Sequence, residues 1–127
     1  MATVVTVVIA GLGGCGGHGP DRAAAADDVR GAVRAYLAAL AGHDWPRACQ
    51  LMTGRARRDI ADATGTSCER ALSAGAALAG AELESVRREV AGAQVRIRGD
   101  SASIGPLGGA EQALRLERVR GRWLVTT

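Results

Sequence analysis

The thiols of three cysteines, Cys15, Cys49 and Cys68, have the widest range of possible chemistry in this sequence. A thiol can take a lipid, form a disulfide, bind a metal or act as a nucleophile. No C-x-x-C pair is present, and the two histidines, His18 and His43, lie in unrelated contexts. A metal site is therefore not expected, and neither a Ser–His–Asp nor a Cys–His set for nucleophilic hydrolysis is visible.

The first cysteine follows a short apolar stretch at the N-terminus. Residues 2–10 (ATVVTVVIA) are uncharged, too few for a membrane-spanning helix of about 20 residues but enough for the core of a secretory signal. The next segment, Leu12-Gly13-Gly14-Cys15, resembles a bacterial lipobox, although no basic residue precedes it. The resemblance implies a signal peptide over residues 1–14, a lipid on the Cys15 thiol, and a flexible tether over residues 15–27. The protein would then be anchored at the extracytoplasmic face of the cell membrane or, without the lipid, secreted.

The same segment allows another interpretation. Residues 11–16 (GLGGCG) match G-x-G-x-x-G behind a strand-like run, the fingerprint of a dinucleotide-binding fold. That fold needs a helix to begin at the third glycine, so that its amides meet the pyrophosphate. Here Gly17-His18-Gly19-Pro20 follows instead, and these residues disfavour a helix at that point. A cytosolic dinucleotide-binding protein is the alternative that this motif leaves open.

The lipobox resemblance also accounts for the odd number of cysteines. With Cys15 lipidated, Cys49 and Cys68 are left to form a disulfide in an oxidising compartment. The closed loop of about 20 residues would stabilise the fold by roughly 3 kcal/mol. In a cytosolic protein the alternative is two unrelated buried thiols.

Composition limits the chain to one small globular domain. It has 127 residues, 47% of them hydrophobic and 23% charged, and a net charge of +3. All 16 basic residues are arginines, and phenylalanine is absent. Arginine clusters can bind nucleic acid or anionic lipid, but the interleaved acids Glu111 and Glu117 and the scarcity of aromatic residues favour an ordinary charged surface. We expect no nucleic-acid partner.

The first half of the domain has helical periodicity. Residues 21–41 carry one apolar stripe and end before Gly42, and the stripe consists of Val29, Val33, Tyr36, Leu37 and Leu40. Asp44 is the predicted N-cap of a short second helix that ends near Met52 and has Pro46 in its first turn.

Two further helices are predicted before the pattern changes. Residues 55–63 form the first, which Gly65 ends, and residues 68–86 form a longer one that Gly75 and Gly80 weaken. After Gly92, apolar and polar residues alternate in four short runs separated by turns, which predicts an antiparallel meander. The fold class is therefore α+β, with N-terminal helices packed on one face of a sheet of about four strands.

This order of elements resembles the nuclear-transport-factor-2-like (SnoaL-like) superfamily, in the small secreted or lipid-anchored form common in actinobacteria. The segments that carry the resemblance are VRAYLAALAGHDW (33–45), ACQLM (48–52), SC (67–68) and LRLERVRGRWLV (114–125). It covers residues 28–127 and implies a cone in which the helices and a curved sheet can enclose a pocket. Some members are enzymes acting on steroids or polyketides, and others only bind or assemble.

The resemblance suggests Tyr36, Trp45 and Trp123 as candidate pocket residues, with packing in the core as the alternative for Tyr36 and Trp123. Isomerases of the superfamily pair an aspartate base with a tyrosine oxyanion donor in a dry pocket. Tyr36 matches such a tyrosine by position, but the acids Asp59 and Asp62 lie beside arginines on a solvated helix face.

We therefore expect a protein with no catalytic residues and no cofactor, which binds a small apolar ligand or an envelope protein. A homodimer through the sheet is a further expectation, and an isomerase- or cyclase-type pocket enzyme is the alternative.

Overall fold

The computed structural model describes residues 20–75 and 80–127 of the chain. The signal-peptide segment, Cys15 and the G-x-G-x-x-G motif lie outside these residues. The described elements are five helices and four strands: α1 (Pro20–Ala41), α2 (Trp45–Gln50), α3 (Gly54–Thr64), α4 (Cys68–Ala74), α5 (Gly80–Val90), β1 (Val95–Arg98), β2 (Ser101–Ile104), β3 (Leu114–Val119) and β4 (Arg122–Thr126). The α+β class expected from the sequence is confirmed.

The long first helix forms where the apolar stripe predicts it. Val29 and Val33 are fully buried and Leu37 nearly so, and all three belong to the main core. The helix already includes residues 20–27, which the lipobox interpretation assigns largely to a tether. α1 therefore supplies the central apolar surface on which the sheet packs.

Side-chain caps begin the short helices that follow. The Asp44 carboxylate accepts a hydrogen bond from the Arg47 amide at 3.3 Å, as its predicted role as N-cap requires. Thr53 caps α3 by accepting from the Ala56 amide at 3.1 Å, and Ser67 caps α4 by accepting from the Arg70 amide at 3.3 Å. These bonds satisfy amides at the helix ends that no carbonyl of the same helix can reach.

The pattern between residues 68 and 86 gives two helices instead of one. α4 ends at Ala74 with Gly75 as its C-cap, and α5 begins at Gly80 and continues to Val90. The glycines that weaken the pattern thus mark the end of one helix and the beginning of the next, because glycine costs about 1 kcal/mol relative to alanine inside a helix.

The four strands form an antiparallel meander in the order β1-β2-β3-β4. The register places Ala102 opposite Leu116, and Leu116 opposite Val125, on the face that packs against the helices. Within the described residues the sheet contains no parallel strand pair of the kind that a βαβ dinucleotide site needs.

The segment between α2 and α3 fastens the helices to the β4 edge of the sheet. The Thr53 amide donates to the Val125 carbonyl at 2.8 Å, and the Val125 amide donates to the Leu51 carbonyl at 2.9 Å. Two residues before Leu51, the predicted disulfide between Cys49 and Cys68 holds α2 to α4, and this prediction is confirmed. Sheet edge, α2 and α4 are thus joined within a few residues of chain.

Candidate functional site

A cavity of about 210 Å³ lies among four helices, away from the sheet. The residues that line it come from the end of α1, the turn that follows, α2, α4 and α5: Tyr36, Leu40, His43, Trp45, Ala71, Leu72, Gly75 and Leu83. Most of these side chains are apolar, while a phenol hydroxyl, an imidazole and an indole N–H can form hydrogen bonds. We call this space the helical cavity.

The turn between α1 and α2 places two rings side by side at the cavity. His43 has a positive φ of 54°, which lets the chain reverse directly after the Gly42 amide bonds the Ala38 carbonyl at 2.9 Å. Asp44 then caps α2, so that Trp45 is the first residue of the new helix. The rings of His43 and Trp45 stack with centroids 5.2 Å apart and planes inclined by 14°. The two stacked rings, an exposed imidazole and a half-buried indole, together form one flat side of the cavity.

Tyr36 contributes a polar hydroxyl to the cavity, on a side chain that is half-buried. It lies one residue before Leu37 in the apolar stripe and packs against both hydrophobic clusters of the protein. Burial raises the pKa of the Tyr36 hydroxyl above its usual value of 10, because the charged phenolate would lose water. The hydroxyl is therefore neutral at physiological pH and can donate a hydrogen bond to a ligand.

Two of the three aromatic residues suggested by the sequence meet at this cavity. Tyr36 and Trp45 line it, whereas Trp123 lies on β4 and belongs to the main core, with only 8% of its surface exposed. The Arg118 guanidinium lies 5.3 Å from the centroid of the Trp123 ring. Trp123 therefore packs at the sheet, where a cation–π contact covers its exposed side.

His43 is a polar cavity residue that the sequence analysis does not single out for a site. Its ring reaches the cavity through the turn between α1, which Gly42 ends, and α2, which Asp44 caps. The signal for this turn is present in the sequence, but nothing in the sequence shows that the turn borders a cavity.

The described residues that line the cavity carry no carboxylate. Asp59 and Asp62 are exposed on α3, where the Asp59 carboxylate lies 4.0 Å from the Arg55 guanidinium and accepts a hydrogen bond from the Thr127 hydroxyl at 2.7 Å. These two acids therefore belong to a solvated helix face, as expected.

Comparisons with known proteins found no match: no family model, no curated protein and no solved structure matches this chain. Within residues 20–75 and 80–127, no helix has both the length and the apolar character needed to cross a bilayer. The same residues contain no group of three or more His, Cys, Asp or Glu side chains placed to hold a metal ion. The helical cavity is thus the feature from which a function can be argued.

Proposed function

We propose that this chain is a lipid-anchored extracytoplasmic protein whose single domain binds a small, mainly apolar ligand in the helical cavity. The observation that carries the proposal is the combination of an apolar space with a stacked His43–Trp45 wall and the neutral Tyr36 hydroxyl. Sites of this kind use apolar walls for affinity and a few polar groups for orientation.

The volume of the cavity limits the size of the ligand. A dry cavity of about 150 Å³ is enough to bind benzene, and the helical cavity measures about 210 Å³. It therefore suits a single substituted ring or the end of a longer molecule. Each Å² of apolar surface that leaves water contributes about 25 cal/mol, so a ligand this small binds weakly unless Tyr36 or His43 also bonds it.

The disulfide supports the extracytoplasmic part of the proposal. The Cys49–Cys68 bond belongs to an oxidising compartment, because thiols in the cytosol are kept reduced. With Cys49 and Cys68 paired, Cys15 is left available for a lipid, in agreement with the lipobox that surrounds it. The signal peptide at residues 1–14 is the route by which the domain would reach that compartment.

For the fold we propose a small cone of the nuclear-transport-factor-2-like kind. Its support is the element order of helices followed by a meander, with α1 packed across one sheet face. A short pairing of Met52 with Val125 extends that sheet on the β4 side. In this arrangement the helical cavity lies between the helices of the cone and not between the helices and the sheet.

Ligand binding is tested by filling the cavity. Ala71 lines it, so A71F should occupy the space, while A63F adds the same ring to an exposed position of α3. Indole serves as the probe, and binding is followed by NMR shifts of the Trp45 indole N–H. Wild type and A63F should bind indole and A71F should not; equal binding by all three would contradict the proposal.

The anchor is tested separately by intact mass and fractionation in a host that processes lipoproteins. The expected mature chain begins at Cys15, carries a diacylglyceryl group and lacks the two hydrogens of one disulfide. C15A should move the protein from the membrane fraction to the soluble fraction. An unprocessed chain with three free thiols would contradict the anchor but would leave the cavity experiment valid.

A pocket isomerase or cyclase is the second candidate, favoured by Tyr36 and His43 lining one cavity. The Tyr36 hydroxyl would polarise a carbonyl, and the His43 imidazole, which lines the same cavity, would accept the proton as the base. Turnover of a cyclic enone that Y36F and H43Q each abolish would favour this candidate. Binding that both variants retain, without turnover, favours the ligand-binding protein.

A further inference from the structure

A second depression, of about 330 Å³, runs between the first turns of α1 and the outer edge of the sheet. Its lining residues are Arg22 and Ala26 of α1 together with all four residues of β1, Val95, Arg96, Ile97 and Arg98. We call it the basic groove, because three of its six residues are arginines and none is acidic.

Ordinary periodicity brings these arginines together. Arg22, Ala26 and Val29 follow one another at helical spacing, so the α1 face that is buried at Val29 ends in an exposed arginine near the helix start. On β1 the half-buried Val95 and Ile97 alternate with the exposed Arg96 and Arg98. The apolar floor of the groove thus has arginines on both sides.

Within the described residues, no ion pair cancels the charge of the groove. Ion pairs among the described residues involve Arg30, Arg55, Arg87 and Arg118, and none involves Arg22, Arg96 or Arg98. The closest strand neighbour of Arg96 on the outer sheet face is Ser103, and beyond Ser103 comes another arginine, Arg115.

Four acids lie close to this region. Asp21 directly precedes Arg22 on α1, and Asp100 lies in the turn after β1, where its carboxylate pairs with Arg118. Glu111 and Arg96 both line an adjacent depression. Across the sheet, Arg98 of β1 lies opposite Ser101 of β2, and Ser101 lies opposite Glu117 of β3. Against Glu117 the outer face carries Arg96, Arg98, Arg115 and Arg122, so that its net charge is positive.

We propose that the basic groove binds the anionic phospholipid headgroups of the membrane to which the chain is attached. This inference rests on the proposed lipidation of Cys15. Five residue steps separate Cys15 from Pro20, the first residue of α1, and even a fully extended chain covers only about 18 Å in five steps. Pro20 therefore stays within that distance of the lipidated Cys15, and Arg22 follows two residues later on α1. Guanidinium groups bind phosphate oxygens through two parallel hydrogen bonds.

The basic groove and the helical cavity lie at opposite ends of α1. Leu40, which lines the cavity, lies 18 residues after Arg22 on the same helix, and 18 residues of α-helix span about 27 Å. A headgroup bound in the groove therefore leaves the helical cavity free for its own ligand.

The test uses the full chain carrying C15A, so that lipidation does not contribute to binding. It is mixed with vesicles of phosphatidylglycerol and phosphatidylcholine in equal amounts, or of phosphatidylcholine alone, at low and at high salt. The groove variant R22Q/R96Q/R98Q is compared with R55Q/R58Q/R70Q, which removes the same charge from exposed positions on α3 and α4. Circular dichroism checks that both variants fold.

We expect salt-sensitive binding to the anionic vesicles only, and a loss of tenfold or more in the groove variant, because each arginine at an anionic surface contributes about a factor of five. The affinity of the control variant for anionic vesicles should fall by less than about threefold, which is half of a tenfold loss on a logarithmic scale. Hydrogen exchange should slow at the backbone of β1 and stay unchanged in α3 when vesicles are added.

Three results would overturn the proposal: equal losses in both variants, absence of binding to anionic vesicles, or tighter binding to a single-stranded oligonucleotide than to vesicles at the same salt. A dimer that protects β1 in the absence of vesicles would overturn it as well. The protein in this test is not lipidated, so the result concerns only headgroup binding by the groove. Lipidation of Cys15 is decided separately, by the intact mass of the mature chain.

Discussion

The contact of α1 with the sheet and its contact with the other helices differ in how tightly side chains fill the space between the elements. Where α1 meets the sheet, branched side chains fill the space, and Val29, Val33 and Ile104 have 0% of their surface exposed. Where the end of α1 meets α2, α4 and α5, the wall residues Tyr36, Leu40 and Leu72 are only half-buried and a cavity is left. The sheet side therefore provides stability, and the helical side provides a space that a ligand can enter.

The helices around the cavity are held together by a disulfide and by side-chain caps as well as by packing. Helices α2 and α4 have six and seven residues, too few to be stable alone, since isolated helices shorter than about 12 residues are marginal in water. The Cys49–Cys68 disulfide joins these two helices, and the caps Asp44 and Ser67 act at their first turns. Covalent and capping interactions thus replace part of the apolar packing.

The largest expected effect on stability comes from truncating a leucine in the sheet core, compared with the same truncation at the cavity wall. L116A removes a side chain that is 1% exposed in the sheet core and should lower the free energy of unfolding by about 2–5 kcal/mol. L72A, at the cavity wall, should cost about 1–2 kcal/mol, because its side chain already borders empty space. Urea unfolding measures both, and equal losses would show that the two sides are packed alike.

Removal of the disulfide should have the next largest effect. The bond joins cysteines 19 positions apart, and without it the unfolded chain gains entropy equivalent to about 3 kcal/mol, or roughly 10–20 °C in melting temperature. The variant C49A/C68A and the reduced wild type should melt together in calorimetry. A loss below 1 kcal/mol would mean that packing alone holds α2 against α4.

A smaller effect is expected from the cap that links α3 to the sheet. Thr53 is buried, and its hydroxyl accepts from the Ala56 amide and lies 2.9 Å from the Thr126 hydroxyl. T53A should cost about 1–2 kcal/mol in thermal unfolding, and T53S, which keeps the hydroxyl, should recover most of it. If T53S is as unstable as T53A, the methyl group rather than the cap is what matters.

The smallest effect concerns the pKa of Tyr36 at the helical cavity. Its folded pKa is raised above the unfolded value of about 10 by burial. Its contribution to stability is therefore complete below pH 10 and is lost as the pH rises through the folded pKa, because the unfolded chain releases the proton first. Tyr36 is the only tyrosine, so absorbance at alkaline pH reports it directly, and Y36F should show no such absorbance change. A midpoint at or below 10 would contradict its burial.

Much of the local structure could be predicted from the sequence. The stripe of α1, the Asp44 cap and the alternation of the strands are short-range patterns, and each element lies within a few residues of its expected position. The caps Thr53 and Ser67 were missed although their signal was present, a hydroxyl residue directly before a helical pattern. The sequence predicts one helix over residues 68–86, and the two glycines that weaken it, Gly75 and Gly80, are the signal that the structure has two helices there.

The candidate site was harder to predict than its parts. Tyr36 and Trp45 were suggested together with Trp123, and the structure brings the first two to one cavity while Trp123 packs at the sheet. No periodicity distinguishes these aromatic residues. Their separation depends on which helices become neighbours, and that is decided by the disulfide and the bonds of residues 51–53 to β4.

Short-range patterns in the sequence are enough to predict the elements of this protein, because helix and strand periods, caps and glycine breaks act over a few residues. The assembly of Tyr36 and Leu83 around one cavity and of Arg22 beside the arginines of β1 depends instead on the tertiary structure. These residues are far apart in the chain. Their proximity follows from how all the apolar surfaces are buried at once, which no single segment specifies.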